Sequence, residues 1–158
     1  MIHYPQNSTQ AAIRLLALGT TVDGVAFESE YETLERSGIL RRLGISREQF
    51  DDALDSLCKD LRKSCRENDH GFVHVRPALV EAILDEIRDP GMQRVLASYL
   101  LDIIGADQRV TRAESYLFWE VLDHWGLKFR DVVGTSVAWS GGNAASAYAA
   151  IPASHRYS

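Results

Sequence analysis

The chain has 158 residues, 46% hydrophobic and 25% charged, which suits one soluble domain with a real core. A net charge of -5, with no run of Lys and Arg interleaved with aromatics, argues against a nucleic-acid binder. No apolar run approaches the roughly 18 residues of a membrane span, and MIHYPQNSTQ lacks the basic and apolar regions of a leader, so a cytoplasmic location is expected.

Taken in order, the elements are helical. Ser8 caps a first helix carrying Ala12, Ile13 and Leu16, and Asp23-Gly24 is the expected stop. A second helix is predicted over 28–43, closed by Gly44. Ser46 with Gln49 forms a capping box for a third, whose stripe is Phe50, Leu54, Leu57, Cys58, Leu61 and Cys65. The two cysteines on that stripe read as inert, buried, reduced thiols. Pro77 opens a fourth helix with Leu79, Val80, Ile83, Leu84 and Ile87, and Asp89 caps a fifth with Leu96, Leu100, Ile103 and Ile104. A sixth holds Leu117, Phe118, Val121, Leu122 and Trp125, and a short seventh comes after Leu127. No segment alternates as a strand does, so the fold class is all-α with about seven helices. From Gly134 the composition turns to Ser, Gly and Ala, marking residues 134–158 as a tail beyond a domain of residues 1–133. By composition this reads as a flexible tail, and against that its large groups Trp139, Tyr148, Ile151 and Tyr157 offer side chains for docking on the domain or a partner.

One spacing occurs twice. Asp23, Ala26 and Glu30 match Asp107, Val110 and Glu114 at a shift of 84, after which a shift of 82 pairs Leu40 with Leu122 and Gly44 with Gly126. This points to an internal duplication, with one repeat over about 8–69 and another over about 90–133. Continued at 100° per residue, the first and fifth helices place Asp23 and Asp107 on their apolar faces, whereas Asp102 falls on the solvated side. Glu114 shares a stripe with Phe118, Val121 and Trp125. Inward carboxylates are costly without a partner, and a shared cation supplies one. Oxygen-only ligands suit calcium, magnesium or manganese. Each acid also has a purely structural reading: Thr111 and Glu114 form a capping box, Glu30 favours a helix N-terminus, and Asp23-Gly24 is a turn.

At LLALGTTVDGVAFESE with RRLGIS, and LLDIIGADQRVTRAE with HWGL, the chain resembles the TerB-like family, whose name comes from bacterial tellurite resistance. The resemblance spans about residues 11–133. It implies two pseudo-symmetric helical repeats and a divalent metal held by Asp23, Glu30, Asp107 and Glu114, in a non-enzymatic role tied to chemical stress. The alternative is an interaction adaptor that uses helix faces and the aromatic tail to engage a protein partner. A zinc site from His70, His74 and the cysteines is disfavoured, because structural zinc sites place their cysteines two to four residues apart.

Overall fold

The computed structural model of the protein describes residues 3–22, 28–64, 75–105 and 110–133. Among these every regular element is a helix: α1 (Thr9–Gly19), α2 (Glu28–Arg36), α3 (Ile39–Arg42), α4 (Arg47–Ser64), α5 (Pro77–Leu84), α6 (Pro90–Ile104), α7 (Arg112–Trp125) and α8 (Phe129–Val133). The all-α expectation holds.

α1 is the centre. Every residue from Ala11 to Gly19 is buried, so the helix has no wet face and neighbours enclose it on all sides. Those neighbours are α4, α5 and α6, while α6 in turn carries α2, α7 and α8. Gly19, the last residue of α1, makes the α1–α6 approach possible. A Cβ there would lie 2.4 Å from Leu100 Cδ1, inside contact distance, and both residues are enclosed.

Caps fall where the side-chain chemistry places them. The Ser8 Oγ accepts from the Ala11 N–H at 3.2 Å, and Asp89 Oδ1 accepts from the Met92 N–H at 2.7 Å ahead of Pro90. The predicted box at Ser46 is complete, with Ser46 N–H donating to Gln49 Oε1 at 2.9 Å and Gln49 N–H to Ser46 Oγ at 3.2 Å.

Two helix ends close identically. Gly44 and Gly126 adopt φ of +67° and +63°, a left-handed turn that costs a Cβ-bearing residue energy. Gly44 N–H donates to Arg41 O and Ile45 N–H to Leu40 O; Gly126 N–H donates to Asp123 O and Leu127 N–H to Leu122 O. These are matching Schellman motifs, residue for residue at a shift of 82. The helices beyond them also start in register: α4 begins at Arg47 and α8 at Phe129, and the Lys128 N–H is held by Asp131 Oδ2 at 3.2 Å as Ser46 is by Gln49.

Several expectations are corrected. The second helix is not continuous over 28–43: it stops at Arg36, and Gly38 at φ +68° restarts the chain as α3. Hence there are eight described helices where seven were expected. α1 ends at Gly19 and not at Asp23-Gly24: the Thr20 N–H still donates to Leu16 O, but the Thr20 and Thr21 hydroxyls take the Ala17 carbonyl, each at 2.9 Å, and the Thr21 N–H turns to Leu18 O. α6 likewise ends at Ile104, so extrapolating helical phase to Asp23 or Asp107 has no basis. Asp102 is half-buried, not solvated. α5 ends at Leu84, with Ile87 buried beyond it. On α4 the buried face is Phe50, Ala53, Leu57, Asp60 and Leu61; Leu54 and Cys58 are half-buried, and Cys65 lies outside the described residues.

Candidate functional site

Of the four acids singled out by spacing, Glu114 is the one whose side chain is described. It is the third residue of α7 and only 2% exposed. Thr111 caps the helix, its Oγ1 accepting from the Glu114 N–H at 3.2 Å, and the Glu114 Oε2 accepts from the Thr111 N–H at 2.6 Å. Both sequence readings of Glu114 are therefore true at once: it faces inward and it closes a capping box.

Glu30 is the third residue of α2, as Glu114 is of α7. Asp23 and Asp107 lie outside the described residues, as do His70 and His74. The helices that precede the two aspartates in the chain end against each other, Gly19 of α1 abutting Leu100 and Ile103 in the last turns of α6. At a shift of 84 Gly19 itself corresponds to Ile103. Among the described residues no group of three or more His, Cys, Asp or Glu side chains is placed to hold a metal.

A second polar centre escaped the sequence reading. Arg14 on α1, 2% exposed, reaches Asp60 Oδ2 of α4 through Nη2 at 3.3 Å and Glu86 Oε1 through Nη1 at 3.4 Å. Both carboxylates are buried. The segment before α1 covers this centre: the Tyr4 ring lies 5.7 Å from the guanidinium, and the Tyr4 N–H donates to Glu86 Oε1 at 3.1 Å. His3 Nδ1 stands 3.6 Å from the same oxygen. Asn7, at φ 56°, fastens the segment down. Its N–H donates to Glu86 O at 2.8 Å, and its Oδ1 accepts from the Arg88 and Asp89 N–H groups at 2.7 and 2.8 Å.

Two carboxylates meet one guanidinium here, and Glu86 Oε2 is buried with no hydrogen-bond partner among the described residues. Such a cluster is a weak source of net stability, since desolvation offsets most of the Coulomb gain, but it strongly disfavours any packing that separates its members. It fixes how α1, α4 and the turn after α5 meet. A signal for it exists in the sequence: Arg14 interrupts an otherwise apolar AAIRLLAL, Asp60 stands three residues after Leu57 on the α4 stripe, and Glu86 is one residue from Ile87.

An apolar depression lies beside α6, α7 and α8. Leu101 and Ile104 of α6, Val110 ahead of α7, Ser115, Phe118 and Trp119 of α7, and Phe129 of α8 line it. Phe129 meets Phe118 edge-on at 6.2 Å and stacks on Trp119 at 6.5 Å.

No protein family, curated protein or solved structure matches this chain.

Proposed function

We propose that this chain is a non-enzymatic divalent-metal-binding domain built from two TerB-like helical repeats and acting in tellurite or chemical stress response. The observation that supports it is the agreement of two registers. At a shift of 84, the starts of α2 and α7 coincide, so that Glu30 and Glu114 are the third residue of each, and α1 and α6 end within one residue of coincidence. The helices leading to Asp23 and Asp107 abut at those ends. An Asp-to-Glu spacing that repeats after two abutting helix ends suits a shared site for calcium, magnesium or manganese. Asp23, Glu30, Asp107 and Glu114 would hold the ion, whose charge would offset the repulsion among them.

Melting the full chain with each of the three ions tests this. A ligand bound only by the folded state stabilises by about 2.7 kcal/mol at a hundredfold excess over its dissociation constant, an upward shift on the order of several degrees for a domain of this size. Asp23→Asn and Asp107→Asn should each abolish the shift, while Asp102→Asn should leave it intact. No shift in wild type with any of the ions, or a full response in both asparagine variants, ends the proposal. The adaptor reading draws its support from Tyr116 of α7, an aromatic side chain that is 58% exposed. Capture of a partner that depends on residues 134–158 and not on metal would favour it.

A further inference from the structure

Residues 3–7 meet the body of the fold mainly through polar contacts. Tyr4 is half-buried, whereas His3, Pro5, Gln6 and Asn7 are exposed. Their anchors converge on one turn, between the end of α5 at Leu84 and the start of α6 at Pro90. There the Tyr4 N–H donates to the Glu86 side chain and the Asn7 N–H to the Glu86 carbonyl, while Asn7 Oδ1 accepts from the Arg88 and Asp89 N–H groups. Hydrogen bonds at an exposed surface exchange readily for bonds to water, so a segment held by these and by little buried apolar area opens at far lower cost than a core helix. The start of α1 does not depend on the segment, because Ser8 caps the helix through the Ala11 N–H and left-handed Asn7 stands just before it as a hinge. Closure also has a cost. The segment lies over the Glu86 carboxylate, 5% exposed as a residue, whose Oε2 is enclosed with no hydrogen-bond partner among the described residues. Opening that carboxylate to water offsets part of what the broken bonds cost.

We propose that residues 3–7 form a strap that lifts as one unit from the turn between α5 and α6, hinged at Asn7–Ser8 and clasped by the Asn7 side chain. Lifting uncovers the Arg14 guanidinium, over which the Tyr4 ring lies, and the Glu86 carboxylate. The strap is then a gate between solvent and the buried ion cluster, and it works while the helical core stays folded. It involves none of the four acids proposed to hold metal, and its test uses no divalent ion.

Native-state hydrogen exchange of the full chain tests this. The Tyr4, Asn7, Arg88 and Asp89 amides should share one opening constant, many-fold larger than that of the Leu16 and Leu18 amides in α1 and insensitive to low denaturant. Asn7→Ala removes the acceptor shared by Arg88 and Asp89. It should speed exchange at Tyr4, whose own bond is untouched, by about tenfold. The Arg14 guanidinium N–H groups should follow, and the α1 amides should not change. Asn7→Asp, which keeps the acceptor and tolerates the left-handed turn, should exchange as wild type does. An unmoved Tyr4 amide in Asn7→Ala would show separate contacts and no strap, and overturns the proposal. So does exchange of the four amides only together with α1, or failure of Asn7→Ala to fold, either of which would make the segment part of the core. Arg14 exchange that does not follow Tyr4 refutes the gate.

Discussion

The segments α1 to α4 and α6 to α8 solve one packing problem with different materials. Both set a buried central helix against a partner helix that comes after a left-handed glycine, α4 on α1 and α8 on α6. α4 runs 18 residues and α8 five. The long helix carries Asp60 as far as Arg14; at the position matching Arg14, α6 has Ser98, also buried. A guanidinium can be enclosed only where carboxylates reach it, so the half with the short partner helix has a small neutral group there and packs through Phe118, Trp119 and Phe129. Length of the partner helix, more than composition, decides which kind of core each half has.

The largest test of that contrast is to remove the charge. Arg14→Ala strands two buried carboxylates and should destabilise by about 3–5 kcal/mol in denaturant unfolding. Ser98→Ala should cost about 1 kcal/mol or less. Replacing all three groups together, as Arg14→Met, Asp60→Leu and Glu86→Leu, should recover most of the loss, since it removes the desolvated charges along with their pairing. An Arg14→Ala variant as stable as wild type would show that the cluster holds nothing together.

Close approach comes next. Gly19→Val drives two further methyl groups into Leu100 and should cost about 2–3 kcal/mol, while at the matching position Ile103→Val should cost about 1 kcal/mol. Similar losses at both positions would mean that the two helices do not cross where Gly19 is needed.

The helix break offers a sharper comparison. The change of shift from 84 to 82 requires two extra residues in the first half, and Ser37-Gly38 is where they sit. Deleting both joins the 9 residues of α2 to the 4 of α3, one residue short of the 14 of α7, and sets Leu34 and Leu40 four apart, as Phe118 and Leu122 are. The deletion variant should fold, gain helicity by circular dichroism, and lie within about 1–2 kcal/mol of wild type, because buried Leu34, Ile39 and Leu40 keep one face. Failure to fold would show that the break is needed and that the two halves are not interchangeable there.

The smallest effect is at the caps. Thr111→Ala and Ser46→Ala should each cost about 1 kcal/mol. Glu114→Gln, which keeps an acceptor for the Thr111 N–H, should leave metal-free stability within a few tenths of that of Thr111→Ala or better. A much larger loss would mean that the Glu114 charge itself is used.

Local signals were legible because their causes are local. Ser8, Asp89, Thr111 with Glu114, and Ser46 with Gln49 cap where they were expected, since a side chain reaching its own backbone three residues on needs no tertiary partner. Gly44 and Gly126 end helices for the same reason, and their residue-for-residue motifs arise from the apolar pattern around them. The stop of α1 was misplaced because Thr20 and Thr21 end it by turning hydroxyls onto Ala17 O, which competes with the glycine signal at Gly24 and wins by coming first. Of the candidate site, the spacing of the acids and the double role of Glu114 could be read; which groups Arg14 would meet could not. Asp60 and Glu86 are 46 and 72 residues from it in the chain. A charge in an apolar stretch announces that some partner must exist, because an enclosed unpaired ion is too costly to keep. Its identity depends on which helices pack together and how far each extends, and that is settled only when α1 is enclosed.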